Sequence, residues 1–256
     1  MLTPRNHPVQ AGQPGHRRKA AALIAAAFFT LEAPIGAHAD DRPFLRTTHA
    51  LPSEDADGWE VSVMAVANRR GQALSTQIER DLSPTQKLEF EFGRSPHPLG
   101  PEPEQGLRLR SLWRSPAESD GGSGWGFATK LGIEPRRSGE DGGQRQQAQG
   151  VWSWAATPHS WLHLNLGWQW RREDEQAQRL RTSTRSLALH TPINGQHSLY
   201  LEAAGSGDGR DRLLHLGVRH WLAPKRLALD TGLGQQNGSE RPGRFLAINL
   251  NFFALN

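Results

Sequence analysis

An all-β fold, a transmembrane antiparallel up-and-down β-barrel of about twelve strands, is the architecture this chain of 256 residues predicts. Three observations predict it. Apolar and polar residues alternate in twelve short stretches, turn-rich connectors separate them, and Trp collects toward the ends of the stretches. A closed barrel satisfies every backbone hydrogen bond in lipid without a helix.

The N-terminus comes first. Arg5, Arg17, Arg18 and Lys19 precede the apolar run 20–30, and Ala37-His38-Ala39 precedes Asp40. This order of charged, apolar and small residues predicts a signal peptide over 1–39. The apolar run has eleven residues, against roughly 20 for a membrane-crossing helix. Residues 40–57 are expected to form a periplasmic N-terminal segment, and 58–256 the outer-membrane barrel.

Residues 1–39 carry four of the 30 Lys+Arg and one of the 26 Asp+Glu, which leaves 26 basic against 25 acidic residues in the remainder. Near-neutrality implies no basic patch of the nucleic-acid-binding kind, and nucleic acid is not expected as a partner. There is no Cys, so neither disulfides nor thiolate metal sites are available. A low content of apolar residues is hard to reconcile with a large dry core, and a barrel with apolar residues toward lipid and polar residues inward removes the conflict.

Residues 86–93 show the period of two. Leu88, Phe90 and Phe92 share one face, and Glu89 and Glu91 the other. At 161–170, Leu162, Leu164, Leu166, Trp168 and Trp170 oppose His163, Asn165, Gly167 and Gln169. The same reading places strands near 58–68, 72–82, 86–94, 105–114, 124–134 and 147–156. It places others near 161–171, 178–189, 197–204, 212–222, 225–234 and 244–254. An even count suits a barrel with both ends in the periplasm.

The tight connectors around Pro84, Pro158, Pro192 and Pro224 fall at alternate junctions and read as periplasmic turns. Longer ones at 95–104, 135–145, 172–177, 205–211 and 235–243 read as external loops. The short connector at Arg69-Arg70-Gly71 and the long one at 115–123 depart from that alternation.

Trp59, Trp113, Trp125, Trp152, Trp154, Trp161 and Trp221 map to the periplasmic ends, and Trp168 and Trp170 to the outer end of the seventh strand. Together they are the expected aromatic girdle. In the last strand Leu246, Ile248, Leu250 and Phe252 take the lipid side and Asn249 and Asn251 the inside. On these features the chain resembles Gram-negative outer-membrane barrels. It is similar to small transporter-like barrels of proteobacteria, including those grouped with meta-pathway phenol degradation, and the resemblance covers 40–256 as architecture. It implies a monomer set in outer-membrane lipid and lipopolysaccharide and inserted by the barrel-assembly machinery. Such barrels usually end on an aromatic residue, whereas Ala254-Leu255-Asn256 follow Phe253 here.

The inward parity supplies the candidate site. Glu89 and Glu91 face Arg108 and Arg110 on the next strand, and Glu202 is expected between Arg181 or Arg185 and Arg219, with Asp230 beyond. This charge network either braces the barrel or selects what passes. Arg179, Arg181 and Arg185 share parity with Leu187 and Leu189, so a β-bulge near Ser186 is expected to restore the register.

Enzyme readings have weaker support. A lipid hydrolase needs Ser and His within hydrogen-bond reach, and the adjacent pairs His159-Ser160 and His197-Ser198 point to opposite faces of a strand. The inward His163 and His215 lack metal-ligand spacing, and Gly205-Ser206-Gly207-Asp208-Gly209 joins two strands without opening a helix. The expected function is a narrow passive channel or transporter-like protein for small polar or charged solutes, non-enzymatic and without cofactor. The alternatives are a structural or ligand-binding barrel with a charge-plugged lumen, or an outer-membrane lipid hydrolase.

Overall fold

The computed structural model describes residues 44–48, 50–51, 58–69, 71–83, 85–94, 105–114, 123–134, 143–173, 179–209, 211–238 and 243–255. The region 1–39, expected as a signal peptide, lies outside them, as do most residues of the long connectors expected as external loops. The described residues all fall within one compact unit, Ile35–Asn256.

Twelve strands follow one another in a closed barrel. They are β1 (Trp59–Asn68), β2 (Gly71–Ser83), β3 (Gln86–Arg94), β4 (Gln105–Arg114), β5 (Ser123–Glu134) and β6 (Gly143–Thr157). The second half comprises β7 (Ser160–Glu173), β8 (Arg179–Asn194), β9 (His197–Ser206), β10 (Asp211–Ala223), β11 (Leu227–Gly238) and β12 (Gly243–Leu255). Each strand pairs antiparallel with its neighbours in sequence, and β1 closes the sheet on β12 through Val63↔Leu250 and Ala65↔Ile248. No edge is left to template aggregation.

All twelve expected strands are present, and the longest, β8, has 16 residues against the 9 to 11 that cross a bilayer. The surplus carries strands past the apolar band. The pleat sorts each strand into a buried inward row and an exposed outward row. In β10, Leu213, His215, Gly217, Arg219 and Trp221 are buried while Arg212, Leu214, Leu216 and Leu222 are exposed. Leu246 and Ile248 of β12 are exposed, as the alternation requires, and Asn251 is buried.

The expected bulge near Ser186 is absent. Pairing of β7 with β8 runs unbroken from Trp161↔His190 to Arg172↔Arg179. Register shifts occur instead at the turn-side ends, between Trp59/Val61, Asp81/Ser83, Leu112/Arg114, Ala155/Thr157, Pro192/Asn194 and Trp221/Ala223. Bulges at a barrel rim let strands bend into tight turns without disturbing the register within the band.

Glycine lets aromatic rings lie flat against the inner wall. A Cβ on Gly217 would stand 2.2 Å from the Tyr200 hydroxyl, and one on Gly232 2.3 Å from His215 Nε2. Phe245 covers Gly234 in the same way, at 2.2 Å. Phe44, Tyr200, His215 and Phe245 consequently form a run of rings along the wall, with successive centroids 6.1, 5.2 and 5.6 Å apart.

Candidate functional site

The lumen holds a segment of the chain itself. Residues 44–48 and 50–51, expected in a periplasmic extension, lie against the inward faces of β6 to β10, which corrects that part of the expectation. Thr47, Thr48 and Ala50 are 1 % exposed or less, and Phe44 and Leu51 are also buried. Glu202 of β9 is the main anchor. Its carboxylate accepts hydrogen bonds from the Leu45 and Arg46 amides at 2.8 Å each, from the Thr47 amide at 2.6 Å and from the Thr47 hydroxyl at 2.8 Å. Amide donors aimed at a carboxylate satisfy backbone groups that no strand partner serves.

Farther along, Asn165 of β7 imitates a strand partner. Its Oδ1 accepts from the Thr48 amide and its Nδ2 donates to the Thr48 carbonyl, both at 2.8 Å, while Ser186 Oγ donates to Oδ1 at 3.1 Å. Gln149 donates to Thr48 Oγ1 at 3.1 Å, and the Ala50 amide donates to Ser153 Oγ at 2.7 Å. At the outer end the Arg46 guanidinium pairs with Asp211, whose other oxygen accepts from Gln236 at 2.9 Å. The segment thus runs from the outer end of β10 down to the turn-side half of β6, and Phe44 sets its ring edge-on to Tyr200 and His163.

The rest of the inner wall is charged. Glu89 and Arg108 are Cα partners across β3 and β4, with 3.4 Å between their ionic groups. Glu91 has Gly106 opposite it and forms its ion pair with Lys130 of β5, one strand beyond. Gly106 makes this reach possible, since a Cβ there would stand 3.0 Å from Lys130 Cε. Arg110 is buried on the same face, opposite Lys87. Lys87 meets three carboxylates, those of Glu60 at 3.1 Å, Glu79 at 3.2 Å and Asp81 at 3.6 Å.

On the other side Arg219 forms a two-point pair with Asp230, Nε to Oδ1 at 2.7 Å and Nη2 to Oδ2 at 2.9 Å. Asn251 donates to the same carboxylate at 2.8 Å. The guanidinium carbon lies 5.6 Å from the Trp221 ring centre and 5.7 Å from that of Phe253.

Seven of the eight expected luminal residues, Glu89, Glu91, Arg108, Arg110, Glu202, Arg219 and Asp230, are buried or half-buried on the inward parity. Arg181 is not among them. It is exposed on the outward face, its guanidinium 5.1 Å from the Trp168 ring centre. Without a bulge it keeps the parity of Leu187. Glu202 therefore turns to the N-terminal segment, not to Arg181 or Arg185.

Trp59, Trp125, Trp154 and Trp168 are exposed and outward, and Trp152 and Trp170 are half-buried on the same face, as a girdle requires. Trp221 is corrected to the inside, where it packs on Ala228 and Phe253. Trp161 also takes the inward parity, two residues from His163, at the turn-side rim. The Trp113 side chain lies outside the described residues.

Lys87 and Lys130 were not singled out from the sequence, although both share parity with the charges that were. Ser153 and His163 could not be paired by spacing, since adjacent strands bring them together with Oγ 2.8 Å from Nδ1. That hydroxyl also accepts the Ala50 amide, so the pair holds the segment in place. Of the adjacent pairs, His197 contacts His220 and Asn194, and Ser160 bonds Thr191. His215 sits 3.7 Å from Glu202, and among the described residues no group of three metal-ligating side chains forms.

No family model matches the sequence, and no curated protein does. Solved structures do resemble the fold. The KdgM porin in complex with disordered oligogalacturonate superposes at TM-score 0.55 with 8 % identity, over 75 % of this chain and 98 % of that one. An outer-membrane channel from Pseudomonas putida F1 gives TM-score 0.54 with 11 % identity, over 79 % and 97 %. The NanC porin gives 0.50 with 9 % identity, over 77 % and 99 %. The fold is that of a closed twelve-strand barrel like these proteins.

Proposed function

We propose that this chain is a monomeric outer-membrane channel for small polar or charged solutes, and that its own segment of residues 44–48 and 50–51 sets how much of the lumen is open. The observation that carries the proposal is the grip of Glu202 on three consecutive backbone amides inside a charged lumen. An apolar outer face with Trp near both ends suits a bilayer, while ionic rows on the inner face suit passage of charged solutes. The likeness to porins and to an outer-membrane channel supports location and transport together.

The alternative, a structural barrel with a filled lumen, draws on the same segment. Conductance separates the two. The full chain is inserted into planar bilayers beside Glu202→Gln and Asn165→Ala, with folding checked by heat-modifiable migration on a gel. The channel reading expects small discrete steps from the wild type, and larger or more frequent openings when an anchor is weakened. Folded barrels silent in all three forms would establish the structural role.

A further inference from the structure

The outward face of β8 changes character part-way along. Leu189 and Leu187 are followed, on the same parity and toward the external loop, by Arg185, Ser183 and Arg181. β10 changes at the same level. Leu187 and Leu214 both pair with Ala203, and one step farther out Arg185 and Arg212 both pair with Gly205. Both arginines are exposed, and their backbones stand two strand spacings apart, about 10 Å. Gly205 between them carries no side chain.

Arg181 lies farther out on β8 and rests on the Trp168 ring. Arg172 is also exposed, at the outer end of the outward row of β7. Among the described residues the outward faces of the outer halves of β7 to β12 carry no Asp or Glu, and Arg181, Arg185 and Arg212 have no carboxylate partner. Inside the lumen Lys87, Arg108, Lys130 and Arg219 each meet a carboxylate, so this basic outer face stands apart. Below it Leu187, Leu201, Leu214 and Leu216 are all more than two-fifths exposed and form a continuous apolar surface.

We propose that Arg185 and Arg212 bind the phosphate of a phosphorylated outer-leaflet glycolipid, of the lipopolysaccharide class, with the phosphate over Gly205 and the acyl chains along the leucines below, while Arg181, held on the Trp168 ring of β7, adds positive charge farther out. Guanidinium forks match phosphate oxygens in bidentate geometry, and Arg keeps its charge at a partly dry interface. The row where leucine gives way to arginine is where a lipid changes from acyl chain to charged headgroup. The proposal rests on the outer-membrane reading above.

The test uses the full chain refolded in lipopolysaccharide-free detergent. Bisphosphorylated lipid A and its dephosphorylated form are the probes, and binding is followed by native mass spectrometry. Wild type is expected to prefer the phosphorylated form. Arg185→Gln/Arg212→Gln is expected to weaken that binding about tenfold. Arg80→Gln, at the opposite rim beside Trp59, is expected to leave it unchanged. Equal binding by wild type and the double variant, or equal binding of the two lipids, overturns the site. If the double variant does not fold, the single Arg212→Gln and Arg185→Gln forms decide, each expected to lose about threefold and each overturning the site if unchanged. A wild type with no heat-modifiable band would mark failure of the membrane reading itself, whereas a folded barrel indifferent to phosphate marks failure of this site alone.

Discussion

Arg219 and Asp230 are Cα partners across β10 and β11, and two hydrogen bonds of 2.7 and 2.9 Å join their side chains in a fully buried pair. Removing one partner of such a pair leaves an uncompensated charge, at a cost of about 3–5 kcal/mol. Arg219→Ala should lower the stability of the refolded barrel by that order, read from urea denaturation in lipid vesicles. Arg219→Met/Asp230→Leu should recover most of it, and a single variant as stable as the wild type would remove this pair from the structural account.

Gly217 tests the glycine–aromatic arrangement. A methyl group there meets Tyr200 Oη at 2.2 Å and the Thr231 carbonyl at 2.5 Å, and the second contact is backbone. Gly217→Ala is expected to destabilise by about 1–3 kcal/mol, the usual cost of overpacking. Gly195→Ala, with nothing within 4 Å, should stay within about 0.5 kcal/mol of wild type in the same denaturation series.

Lys130 reaches Glu91 only because Gly106 leaves the wall of β4 open. Gly106→Leu should separate the pair and free a carboxylate and an ammonium in the lumen. The expected outcome is a changed single-channel conductance, with folding retained on the gel.

Lys87 is the cation shared by Glu60, Glu79 and Asp81. Lys87→Met removes one positive charge from this end of the lumen, and reversal potentials in a salt gradient should move toward cation selectivity. An unchanged reversal potential would place the cluster outside the solute path.

Much of this barrel was legible because the pleat has a period of two and one face meets lipid. Glu89, Arg108, Glu202 and Asp230 were assigned inward on parity alone. Arg181 was misread because β8 outruns the apolar band, so that one face passes from leucine to arginine without any change of register. A bulge was inferred where only the surroundings change. Trp221 shares parity with Arg219, and its place at a strand end outweighed that parity in the girdle assignment. Lys87 and Lys130 needed the pairing register before their carboxylates could be named. The seating of residues 44–48 and 50–51 left no trace in periodicity, because backbone amides hold the segment to Glu202 and Asn165, and backbone donors look the same in every sequence.

The connectivity of that segment imposes an order of events. Leu45 and Glu202 are separated by 157 positions, and Ala50 and Ser153 by 103. The groups that hold the segment therefore do not exist as a surface until β6 to β10 have been paired. The first described residues of the chain therefore cannot complete their contacts before strands that lie more than a hundred positions later have come together.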